Sequence, residues 1–117
     1  MNNEQTRFAS GMNIMLAFWL ILSPVLLGYT GNALALWDAL IVGVVTLVLA
    51  WFRMLHPDGS VIPSWVNLLL GAWLAASPFV LGLTSMYAVL WNDFTVGIAI
   101  LFFSTIGLLL TAPASKA

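Results

Sequence analysis

Charge is what this sequence has least of: only 6% of its 117 residues are charged, against roughly 25% in a soluble domain. A water-soluble globule this small cannot clothe its surface with so few charges, so a free globular domain is excluded. Cysteine is absent, which removes disulfides, thiolate metal sites and a cysteine nucleophile. Three basic side chains and a net charge of −1 form no basic patch, and nucleic acid is excluded as a partner. The one histidine, His56, stands beside Pro57 and Asp58 in a polar cluster. There is no Ser/His/Asp set at a credible depth, no HExxH and no glycine-rich phosphate loop. No enzyme is expected, and neither a metal nor a cofactor is called for.

What the chain has in abundance is apolar length. Hydrophobic residues make up 62% of it, and residues 8–37 and 59–92 carry no charge. A helix needs only about 20 such residues to cross the hydrocarbon of a bilayer, so this is an integral membrane protein. Met1 to Ser10 is polar and carries Arg7 ahead of the apolar run, as a secretion signal does. That run, Phe8 to Tyr29, exceeds a cleaved core of about 7–15 residues and is followed by further spans. It reads as a retained first helix. One membrane domain over residues 1–117 is expected.

The chain is also written twice. At an offset of 54 residues Asn13 meets Asn67, Trp19 meets Trp73, Ser23-Pro24 meets Ser77-Pro78, and Gly28 meets Gly82. The same register pairs Thr30 with Thr84, Trp37 with Trp91, and Gly43 with Gly97. Leucine matches are cheap in so apolar a chain, but matches among Trp, Pro, Asn and Gly in one register mark a duplication. Repeat 1 covers about 8–55 and repeat 2 about 63–110, each with two apolar segments: 8–29 and 33–55, then 63–83 and 87–110. The links at 30–32, 56–60 and 84–86 are short, which forces antiparallel neighbours. The predicted fold is all-α: a four-transmembrane-helix bundle of two tandem hairpins. Two spans per repeat give both halves the same orientation, with a pseudo-twofold axis along the membrane normal. Arg7, Arg53 and Lys116 fall in the amino-terminal tail, the middle link and the carboxyl-terminal tail, all on one side. The positive-inside rule places both termini in the cytoplasm.

The repeated residues have physical roles to assign. Proline lacks an N–H and collides with the preceding turn. Ser-Pro inside each first helix therefore implies a bend, with the Ser23 and Ser77 hydroxyls reaching back to a carbonyl three or four residues earlier. Asn13, Ala17, Leu20 and Pro24 share a helical face, as do Asn67, Gly71, Leu74 and Pro78. These strips, with Gly43 and Ala50 or Gly97 and Ser104 on the second helices, suit close packing and interhelical hydrogen bonds in lipid. A polar ligand or ion site between the halves is the sharper reading of the two asparagines. Trp37, Trp91, Trp51 and Trp65 lie near helix ends, where indole anchors at the interface. Trp19 and Trp73 lie deeper and are expected to pack beside the bends; a bound quinone, carotenoid or lipid is the alternative. Asp38 pairs in register with Asn92 and Asp93 with Ala39, so the two acids are not equivalent. Both are read as interfacial, favoured by the helix dipole.

The recurring unit, Asn–x5–Trp–x3–Ser-Pro–x3–Gly followed by Trp-Asn or Trp-Asp and a later Gly, resembles the SPW repeat family of small prokaryotic membrane proteins. The likeness covers Asn13–Gly43 and Asn67–Gly97. The tryptophan that follows Ser-Pro in the family's name is Val25 in the first copy and Phe79 in the second. The resemblance implies two spans per repeat in the cytoplasmic membrane of a bacterium or archaeon, and it carries over no activity and no functional residues. The leading functional expectation is a structural or accessory subunit that meets another membrane protein, or a second copy of itself, within the bilayer. A small oligomeric transporter or channel, or a binder of lipid, quinone or pigment, is the alternative.

Overall fold

The computed structural model describes residues 3–56 and 61–116, without the side chains of residues 3, 6 and 110–116. Four helices account for nearly all of it: α1 (Asn3–Leu26), α2 (Ala33–Leu55), α3 (Ile62–Val80) and α4 (Tyr87–Lys116). All four are long and apolar enough to cross a membrane. They run up and down in turn, and each packs against two neighbours, in the ring order α1, α2, α3, α4. The expected links at 30–32 and 84–86 are longer in the structure, because α1 and α3 stop at Leu26 and Val80. The middle link beyond His56 lies outside the described residues.

The early stops have one cause. Tyr29 N–H donates to the Pro24 carbonyl (2.9 Å), and Leu83 N–H donates to the Pro78 carbonyl (2.7 Å). Gly28 and Gly82, at φ 77° and 73°, adopt the left-handed conformation. This is the Schellman ending, in which a left-handed glycine turns the chain so that the next N–H bonds five residues back. Its ring size demands four steps from the residue whose carbonyl accepts to the glycine, which is the repeated Pro–x3–Gly spacing. Tyr29 and Leu83, the residues after the glycines, are both 3% exposed and fold back into the core. The bend expected inside each span therefore lies in its last turn, where it ends the helix and aims the chain into the hairpin.

The serines act as the sequence implies, with one difference between the copies. Ser77 Oγ donates to the Leu74 carbonyl (2.8 Å), three residues back, whereas Ser23 Oγ donates to the Trp19 carbonyl (2.6 Å), four back. Helix α2 starts on Asn32, whose side chain accepts from Ala35 N–H at 3.0 Å and caps the first turn. α3 starts on a proline in its first turn, where the missing N–H costs nothing.

The strips of small and polar residues form the buried seam. Asn13, Ala17, Leu20 and Pro24 are buried, and so are Asn67, Gly71, Leu74 and Pro78. A Cβ on Gly97 would sit 2.6 Å from the Gly71 carbonyl oxygen and 2.5 Å from Ala75 N. α3 and α4 therefore touch backbone to backbone, in van der Waals contact that holds helices together in lipid. The α1–α2 crossing is looser: a Cβ on Gly43 would meet the Ile21 side chain at 2.7 Å and the Ala17 carbonyl oxygen at 3.3 Å. Two residues differ at the contact: Ala17 and Ile21 stand where the second copy has the smaller Gly71 and Ala75. Leu20, Val42, Leu74, Val96 and Ile100 fill the space between. Large apolar side chains such as Phe18, Leu22, Val48, Ile98 and Phe102 face outward.

Candidate functional site

Polar side chains collect at the two ends of the bundle interior. At the end away from the hairpin turns, Asn13 Nδ2 donates to Ser104 Oγ (3.1 Å), tying α1 to α4. Beneath it lies Arg53, read from the sequence as a cation of the middle link. The structure places it in the last turn of α2 and 2% exposed. Its guanidinium donates to Ser64 Oγ (2.9 Å), the Gly107 carbonyl (3.2 Å) and the His56 carbonyl (3.4 Å), joining α2, α3 and α4. Gly107 allows this approach, since a Cβ there would stand 3.0 Å from Ser64 Oγ. The guanidinium is thus a buried fastening, its planar fork serving acceptors on separate elements. The equal offset of Ser10 and Ser64, both 5% exposed, was the available sign that this end is interior.

The hairpin-turn end holds the acids. Trp73 Nε1 donates to Asp38 Oδ1 (2.8 Å), and Trp19 Nε1 donates to Asn92 Oδ1 (2.7 Å). Asp38 and Asn92 occupy the same position in the two copies, so the same bond is made twice, and each time it crosses between halves. The two deep tryptophans thus have a polar task that spacing alone did not reveal. Asn92 also presents Nδ2 to the Tyr29 hydroxyl at 3.5 Å. Tyr29 is 3% exposed, and its burial raises the phenol well above its ordinary pKa, keeping it protonated. Asn32 Nδ2 and Met86 Sδ, another pair at equal offset, approach to 3.3 Å.

Neither acid is exposed, as a solvated interfacial carboxylate would be. Asp38 is 8% exposed and Asp93 is wholly buried, and neither lies in the first turn of its helix, where the dipole would act. The reason is the seam: both lie on the helix faces that meet the other half, a matter of packing and not of distance from the helix end. Trp37, Trp91, Trp51 and Trp65, by contrast, are 53–64% exposed near helix ends, where interfacial anchoring places them. Asn67 is 2% exposed, and among the described residues its Oδ1 has no hydrogen-bond partner. Among the described residues no three His, Asp or Glu side chains gather closely enough to hold a metal ion.

No curated protein and no solved structure matches this chain. The paired Ser-Pro–x3–Gly endings, the two indole bonds and the glycine seam all repeat at one offset along a chain of four apolar spans. The family model for the SPW repeat domain matches residues 7–107, and the chain belongs to that family of repeat-built membrane proteins.

Proposed function

We propose that this protein is a structural or accessory subunit of a membrane complex, a preassembled four-helix unit whose business is done on its outer faces. One observation carries the reading: the interior is committed to packing. Leu20, Val42, Leu74, Val96 and Ile100 belong to an apolar core cluster, and among the described residues the large side chains exposed along the helices are mostly apolar. On α2, Trp37, Leu40, Ile41, Val44 and Val45 line a shallow groove of about 430 Å³ facing the acyl-chain region. In lipid such faces associate through shape and close contact rather than hydrophobic force. The partner is another membrane protein or a second copy of the chain. No catalytic chemistry is assigned.

The same proposal sets the unit in the cytoplasmic membrane of a prokaryote with both termini inside, and relates the halves by a twofold along the membrane normal. The equal-offset indole bonds support that axis. Arg7, exposed near the start of α1, supports the orientation. With no native cysteine, single cysteines at residues 7 and 85 report sidedness directly.

Purification in mild detergent with lipid retained is the test. A defined partner or a discrete oligomer is the supporting result; a chain that stays monomeric and alone removes the proposal. The transporter reading draws on the buried polar groups at both ends and requires flux in liposomes that Asn67→Leu abolishes. The apolar core cluster favours the accessory reading over it.

A further inference from the structure

Among the described residues, Asp93 is a fully buried carboxyl with both oxygens unpartnered. Its counterpart in the first copy is Ala39, also fully buried, so an alanine suffices to fill that position. Asp93 brings a carboxyl group into the seam with zero exposure, and among the described residues neither of its oxygens has a hydrogen-bond partner. The neighbouring Asn92 accepts from Trp19 through its carbonyl and presents its amide to the Tyr29 hydroxyl at 3.5 Å. Asp38, 8% exposed, spends Oδ1 on Trp73 and leaves Oδ2 buried without a donor. Three carboxyl oxygens at this end are therefore acceptors lacking a hydrogen.

The surroundings supply no compensating charge. Toward this end α1 presents Trp19 and Ser23, its following turn Tyr29, α2 Asp38, and α3 Trp73 and Ser77; only Tyr29 and Asp38 titrate. Glu4 and Arg7 stand at the opposite end of α1. The buried Arg53 bonds Gly107, fourteen residues further along α4 and about 21 Å away. A bare carboxylate taken out of water without a partner is far more costly than a neutral acid, and such groups bind a proton instead.

We propose that Asp93 is a proton-binding site inside the membrane domain, carried as the neutral acid at neutral pH. One O–H bond forms at an Asp93 oxygen, the proton coming from water at the hairpin-turn end and returning there on release. The bound proton gives the seam the donor it lacks. The asymmetry between the copies has a purpose here: Asn92 and Asp38 both receive indole bonds, while Asp93 receives none. This assignment stands independently of the accessory-subunit reading.

Infrared spectroscopy of the purified full chain in detergent tests it. At neutral pH the wild type shows the carbonyl stretch of one neutral carboxylic acid per chain, shifted in heavy water. Asp93→Asn removes that band, Asp93→Ala, which copies the other repeat, also removes it, and Asp38→Asn keeps it. Absence of the band in the wild type overturns the assignment, as does its survival in either Asp93 variant. Measuring in sodium chloride against choline chloride separates a proton from an alkali cation. Loss of the wild-type band in sodium alone makes the site a cation site and overturns the proposal as stated.

Discussion

Replacing Gly97 with alanine pushes a methyl group into the backbone of the facing helix, and the structure sets the size of the effect. The new Cβ would lie 2.5 Å from Ala75 N, 2.6 Å from the Gly71 carbonyl oxygen and 3.0 Å from Ala75 Cα. None of these atoms can rotate away, so α3 and α4 must part along the tightest contact in the bundle. Overpacking of this kind costs about 1–3 kcal/mol, and backbone obstruction places Gly97→Ala at the top of that range. Alanine returns about 1 kcal/mol through its better helix propensity. The net loss is then about 2 kcal/mol, a roughly 30-fold fall in the folded-to-unfolded ratio. Gly43→Ala is the internal control, because its Cβ meets mainly the Ile21 side chain, which can shift by small χ and packing adjustments where backbone cannot. There the overpacking and propensity terms nearly cancel, leaving a change within about 0.5 kcal/mol. Unfolding both variants in mixed micelles of increasing denaturing detergent, followed by circular dichroism, measures the difference. Equal stability of the two variants would refute the claim that the α3–α4 crossing is the closer one.

Three more outcomes follow from the same geometry. Gly28→Ala and Gly82→Ala meet no atom within 4 Å but force an L-residue into the left-handed region. Each should lose about 1–2 kcal/mol in the same unfolding assay; a neutral result would mean the Schellman endings are dispensable. Trp73→Phe strands Asp38 Oδ1 without its donor and should cost about 1–3 kcal/mol. Trp19→Phe, whose bond to Asn92 is exposed, should cost less, and a reversed order in thermal unfolding would contradict the burial of Asp38. Asn32→Ala removes the α2 cap and should destabilise by about 1 kcal/mol, visible as faster hydrogen exchange at the start of α2.

The sequence determined what depends on local order along the chain. Apolar length made four spans, the 54-residue register made two copies, and the small-residue strips named the buried faces correctly because helical periodicity is fixed by the backbone. The Ser-Pro–x3–Gly unit was visible as a motif, yet whether proline bends a helix or ends it depends on the conformation of the glycine four residues on, and only the folded chain shows φ. Arg53, Asp38 and Asp93 were misplaced for a related reason. Near a helix end, sequence distance cannot tell an interfacial charge from a buried one, because the deciding atoms belong to helices from the other half. The same holds for the indoles of Trp19 and Trp73, whose acceptors lie 73 and 35 residues away in sequence. Tertiary packing alone decided which polar groups leave water, and with that which carboxyl is left to hold a proton.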